Sequence, residues 1–232
     1  MIGVFYIFKL LLINFLLIFL FSIILIVQAT ISKDFSNFLI KEYGEEVEKL
    51  IAIRDLGFSG SFGGGQENEG NGRILTKRRP IIFVHGLTNV AGTYEYIRRY
   101  FLTKGYNNSE LYATTYSYGV KRSLRDKMER RHITQIRLLI EAGSRYKNSN
   151  IDVVAFSMGS PMARKAILGG ICVDTGQNLG QPLTSLVHTF IGVAGANRDA
   201  EPLCKLLSWA EPCNQINGIS CNSAFLRDIN SV

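Results

Sequence analysis

Between residues 80 and 196 the sequence alternates short, nearly unbroken apolar runs with segments whose apolar residues recur at helical spacing. "PIIFVHG" (80–86) has no polar alternation, the pattern of a strand covered on both faces in a parallel sheet. "ELYATTYS" (110–117), "IDVVAF" (151–156) and "SLVHTFIGVAGA" (185–196) read as three further strands. Between them, Tyr96, Ile97, Tyr100 and Phe101 mark one helix, Ile133, Ile136, Leu139 and Ile140 a second, and "GSPMARKAIL" (159–168) a third. Parallel strands need crossover connections, so this order predicts an α/β fold, a mostly parallel sheet with helices on both faces.

The flanking segments have other characters. Residues 1–29 are apolar almost throughout, and the run from Phe15 to Val27 followed by Val27-Gln28-Ala29 fits a signal peptide with its cleavage site. Counted from Leu10 the same run is long enough for an uncleaved membrane anchor. Residues 30–56 predict an N-terminal helix capped by Asp34, with Phe35, Phe38, Leu39, Val47, Leu50 and Ile51 on one face. Residues 57–79 hold seven glycines by position 72 and read as a glycine-rich, basic linker, or as a loop over the site, ahead of the domain at 80–232.

Cys172, Cys204, Cys213 and Cys221 are an even set, which in an exported chain suggests two disulfides in one of three connectivities. Their spacing fits no zinc motif, so no metal is expected. Asn107-Asn108-Ser109 is a glycosylation sequon. These features predict a secreted protein, or one anchored by its apolar N-terminus. The formal charge of +7 is concentrated in residues 121–132, where six Lys or Arg meet two acids. That run is either a solvated face or a surface drawn to anionic lipid, and no aromatic residues interleave it as in a nucleic-acid platform, so no nucleic-acid partner is expected.

The third strand stops at Ser157 and passes at once into a helix. In an open parallel sheet, reactive groups collect at this carboxyl edge. "AFSMG" places Ala155 and Gly159 on either side of Ser157, small enough for strand and helix to approach. The first strand ends at the same edge in His85-Gly86-Leu87, which can bring the Leu87 N–H beside that of Met158. Two converging N–H donors make an oxyanion hole. Ser157 is thus the candidate nucleophile, Leu87 and Met158 the candidate donors, and His85 and Gly86 the residues that orient the oxyanion loop.

"PIIFVHGLTN", "LYATTYSYG", "DVVAFSMGSPMARKAI" and "VAGAN" together resemble the secreted class 2 lipases of the α/β-hydrolase fold, the EstA and EstB type, and especially their nematode members. The resemblance spans about residues 78–230. It implies hydrolysis of carboxylic esters, acylglycerols foremost, through an acyl-enzyme on Ser157 and without a cofactor. A lipid ester substrate and contact with a lipid–water interface follow from it. Leu203, Leu206, Leu207 and Trp209 could form an apolar lip for acyl chains or pack as the core of a short stapled helix.

The triad of this fold runs Ser, acid, His in chain order. The only histidine after Ser157 is His188, six residues before Ala194, so about 20 Å from the reactive edge at the usual rise of a strand. His132 sits among charges and reads as solvated. The resemblance puts the acid after the next strand and the histidine beyond that, and neither occurs before Val232. The expectation is a truncated lipase whose sheet lacks its C-terminal strands, with a catalytically incomplete secreted lipid-binding or decoy protein as the other reading.

Overall fold

Four strands form one sheet: β1 (Ile81–Val84), β2 (Leu111–Ala113), β3 (Ile151–Phe156) and β4 (Val187–Val193). They lie in the order β2-β1-β3-β4, and every pairing is parallel. The computed structural model of the protein describes residues 30–65, 78–122 and 124–231. The expected signal or anchor segment, residues 1–29, lies outside the described residues. Among them, no helix is long and apolar enough to cross a membrane.

The period of two in a strand sorts the side chains of the sheet onto two faces. Ile82, Val84, Tyr112, Ile151, Val153 and Ala155 join one core. Ile81, Phe83, Leu111 and Ala113 join the other. The larger core is covered by helices α1 (Lys33–Tyr43), α2 (Glu45–Ile51), α4 (Arg130–Lys147) and α5 (Gly159–Leu168), and the smaller by the segment around α3 (Glu95–Thr103). Ile133, Ile136, Leu139 and Ile140 of α4 are all buried, as their spacing predicts. Two short helices follow β4, α6 (Glu201–Leu206) and α7 (Ala224–Asn230).

Several local expectations are corrected. The N-terminal helix is two helices, because Gly44 adopts φ 91, a left-handed conformation that breaks the helical ladder. Its cap is Ser32, whose hydroxyl accepts from Phe35 N–H, while Asp34 accepts from the Tyr146 hydroxyl. On α3, Tyr96, Ile97 and Tyr100 face solvent. The buried face carries Arg98, which pairs with Glu95 at 2.7 Å and donates to Asn108 Oδ1. At the start of the glycine-rich stretch, Phe62 is buried and exchanges two 2.9 Å hydrogen bonds with Ala113 on the outer edge of β2. Residues 66–77 lie outside the described residues.

The cysteines form one bridge, Cys204–Cys213, and Cys172 and Cys221 are free thiols, the first buried and the second exposed. The expected pairing of all four is not found. Asn107 is half-buried and caps the short turn Asn108–Glu110, and Ser109 is buried, so the sequon is part of the packed fold at this turn.

β4 is the open side of the sheet. Phe190 packs toward the larger core, but Ile191 and Val193, with Phe156 on β3, are exposed on the opposite face. Among the described residues no strand pairs with the outer edge of β4.

Candidate active site

β3 passes into α5 through Ser157 and Met158 alone. So short a turn forces Ser157 to φ 52, a region that L side chains rarely occupy. Thr88 (φ 68) and Ala194 (φ 47) take the same hand just beyond β1 and β4, so three non-glycine residues of this kind gather at one edge of the sheet. Each costs about 1–3 kcal/mol and persists only where its surroundings over-determine it. Here the surroundings are backbone bonds. Ser157 N–H donates to Val193 O at 2.9 Å, and Ser157 O accepts from Ser160 N–H at 3.0 Å and Ala196 N–H at 3.3 Å.

Two glycines let β1 close on this turn. A Cβ on Gly86 would lie 2.8 Å from Ser157 Cβ, and one on Gly159 would lie 2.2 Å from His85 O. Ala155, at the end of the strand, is fully buried. The loop after β1 is therefore held directly over Ser157 with no side chain intervening. Neither the Leu87 nor the Met158 N–H has an acceptor among the described residues. Ser157 is half-buried, and its hydroxyl likewise has no hydrogen-bond partner among them.

His85 is buried and both of its ring nitrogens are engaged. Nε2 accepts from Tyr116 N–H at 3.2 Å, which leaves the proton on Nδ1, 2.9 Å from Gly86 O. The Tyr116 hydroxyl donates to His85 O at 2.6 Å, and the two rings stack at 3.8 Å. Tyr116 thus fixes the loop that carries Gly86 and Leu87. It lies in "LYATTYSYG", yet nothing in the spacing ties it to a residue 31 positions earlier. Ser160, Asn197 and Arg164 were also missed. Ser160 donates to Asn197 at 3.3 Å, and Arg164 reaches Asn197 and, at 2.7 Å, Ile229 O, tying the turn after β4 to α5 and α7.

The other two histidines stand apart from Ser157. His132 is buried, which corrects its expected solvation. Its ring lies 5.4 Å from that of Tyr116, in a cavity of about 140 Å³ shared with Gln135 and Leu50. His188 is exposed near the amino end of β4, 3.6 Å from Asp152. None of the three makes a hydrogen bond to Ser157.

Burial holds His85 neutral, with a pKa lowered to about 4, and burial, then the Arg131 charge, does the same to His132. A depressed histidine pKa means that the unfolded chain binds the extra protons. Stability should therefore be full above about pH 6.5, fall as pH drops toward 4, and level off below it. At about 1.4 kcal/mol per pKa unit the two residues together withdraw several kcal/mol. Urea unfolding at pH 7, 5.5 and 4.5 measures this, and His132→Gln should remove roughly half of the slope. A flat profile between pH 7 and 4.5 would show that neither ring is held neutral.

Solved structures that align with this chain include the mature form of Bacillus licheniformis lipase BlEst2, at 13% identity and a TM-score of 0.47, covering 75% of this chain and 64% of that one. Its propeptide form aligns at 13% identity and a TM-score of 0.49, covering 75% of this chain and 35% of that one. Aspergillus fumigatus lipase B aligns at 19% identity and a TM-score of 0.37, covering 56% and 26%. The chain thus spans less than two thirds of the length of each. No curated protein matches it in sequence. The family model of class 2 lipases matches residues 78–232, a range that includes all four strands, the loop after β1 and the Ser157 turn. The chain belongs to the class 2 lipase family, and its parallel sheet is that of an α/β-hydrolase fold.

Proposed function

We propose that this protein is a serine carboxylester hydrolase of the lipase type, acting on acylglycerols or related lipid esters. The observation that supports the reading is Ser157 at φ 52, packed against Gly86 and followed by Met158, with the Leu87 and Met158 amides left without acceptors among the described residues. In this reading Ser157 Oγ attacks the ester carbonyl carbon, and the oxygen that becomes negative is met by those two N–H groups. The alcohol departs with a proton, and water then releases the acid from Ser157. His85 and Gly86 hold the oxyanion loop in place, with Tyr116 behind them. The sequence of events uses no cofactor.

His85 is not the base, because both of its nitrogens are committed within its own loop. His132 and His188 are bonded elsewhere. Full turnover by a triad therefore needs a histidine other than these three, none of which hydrogen-bonds Ser157. In this reading residues 1–29 export the chain and residues 80–232 form the hydrolase domain. The same observation favours a second reading, a secreted lipid-binding protein without a base.

Mass spectrometry of the ends of the native protein, paired with fatty-acid release from emulsified triacylglycerol, separates the two. The hydrolase reading expects peptides beyond Val232 bearing Asp and His, together with turnover. A native chain ending at Val232 that binds fatty acid without releasing any would overturn it.

A further inference from the structure

Two loops leave the carboxyl edge of the sheet, the edge at which β3 ends in Ser157, and hydrogen bonds join them to each other. The first runs from Tyr118 to Glu129 after β2, and the second from Ala200 to Ser220 after β4. Glu211 N–H donates to Leu124 O at 3.1 Å, and Met128 N–H donates to Asn217 O at 2.9 Å. Lys127 Nζ meets Glu211 at 2.7 Å, and the Cys204–Cys213 bridge closes the second loop on itself.

This braced pair of loops turns apolar side chains outward. Val120 is 76% exposed, Leu206 77% and Trp209 70%, with Leu124 and Ile216 also exposed. Packing of Leu206 and Trp209 as the core of a stapled helix is thereby excluded. Several large apolar groups exposed on two loops that are bonded to each other, rather than one stray leucine, mark a surface built for contact.

The charges around it are unequal. Asp126 lies 3.6 Å from Arg122, Glu129 2.5 Å from Arg131, Glu201 2.7 Å from Lys205, and Glu211 2.7 Å from Lys127. Asp174 accepts from the backbone of Arg130 at 3.0 Å. Asp199, at the foot of the second loop, has no ion pair among the described residues and accepts from Glu201 N–H at 3.3 Å, while Lys121 and Arg125 are both exposed and likewise without an ion-pair partner among them. They flank Val120 and Leu124 in the chain.

The geometry points to an anionic lipid surface as the partner of this face: Val120, Leu124, Leu206 and Trp209 enter the headgroup region while Lys121 and Arg125 meet negative headgroups. A mixed apolar and cationic face fits such a surface better than it fits a soluble polyanion, which has nothing to cover Trp209 and Leu206. The preference for lipid over an acidic protein rests on the hydrolase reading, since an ester held in a membrane or droplet has to be approached from its surface.

Trp209 is the only tryptophan in the sequence, so its emission in the full chain reports this loop and not the apolar residues 1–29. The full chain is titrated with vesicles of phosphatidylcholine alone and of phosphatidylcholine mixed with phosphatidylglycerol, with brominated acyl chains as quencher. The expected result is a blue shift and quenching on the mixed vesicles at much lower lipid. Lys121→Gln and Arg125→Gln should each weaken that response about five-fold, and together about 25-fold, without altering the response to phosphatidylcholine.

Unmoved emission on the mixed vesicles overturns the proposal without recourse to any variant. Equal responses to both vesicles, indifferent to the two substitutions, also overturn it. A response to soluble polyglutamate as strong as that to vesicles would reassign the face to an acidic protein. Ser157→Ala protein should respond as the wild type does, so failed ester hydrolysis and failed lipid docking are told apart.

Discussion

Ser157→Ala brings ester hydrolysis to background in any preparation of this protein that turns over an ester, a fall in kcat of about 10⁶-fold, the scale of a lost serine nucleophile. KM should scarcely move, because the Ser157 hydroxyl holds no partner among the described residues and is engaged only as the bond forms. The thermal midpoint should not move either. Alanine at φ 52 inherits the same backbone strain, and the bonds that impose it run through Ser157 N and O. Release of p-nitrophenol from a short acyl ester, beside circular dichroism on heating, measures both. Hydrolysis at the wild-type level would remove Ser157 from the mechanism altogether.

Gly159→Ala is expected to damage the fold and the site together. The added methyl would lie 2.2 Å from His85 O and 2.7 Å from Val84 O, and both contacts are backbone, which cannot rotate out of the way. Either α5 lifts off β1 or the oxyanion loop moves. Overpacking of this kind costs about 1–3 kcal/mol, and the backbone contact puts the expected loss at the upper end. For a domain of this size, about 3 kcal/mol lowers the thermal midpoint by roughly 6–12 °C. The activity of the fraction that remains folded should fall as well, since the moved loop carries the Leu87 N–H. Gly176→Ala is the matched control: it meets nothing within 4 Å, although its φ of 68 carries a smaller backbone strain. A Gly159→Ala protein as stable as Gly176→Ala would show that β1 and α5 have slack at the turn.

The strands and the Ser157 turn were legible because each is written in a short contiguous run. "IDVVAF" has no competing period, and a strand that ends against small-Ser-x-Gly leaves the chain few ways to turn. α3 was harder to read, since Tyr96, Ile97 and Tyr100 have a helical period but the period does not say which face is covered. The choice is made by Arg98, which is drawn inward by Glu95 and Asn108 and lies over the Phe62 ring. Phe62 itself comes from a stretch whose glycines suggest slack. Likewise, the charged neighbours of His132 suggested solvent. A helix fans successive residues about 100° apart, so Arg131 points out while His132 points in.

The oxyanion candidates could be named in advance, since backbone N–H groups follow from topology. The Tyr116 latch on His85 could not, because it depends on the register of β2 against β1, a quantity no local pattern carries. The pairing of Cys204 with Cys213 is also a matter of tertiary placement.

The two margins of the sheet differ among the described residues, and the difference sets the direction in which the sheet can be extended. At β2 the outer edge is occupied where Phe62 bonds Ala113, while the outer edge of β4 is unpaired among the described residues. A sheet open on both sides can recruit strands without end and grow into a filament. Here the Phe62 bridge stands in the way at β2, so a further strand, whether from more of this polypeptide or from a second one, finds its place beside β4, and the sheet can be extended in one direction only.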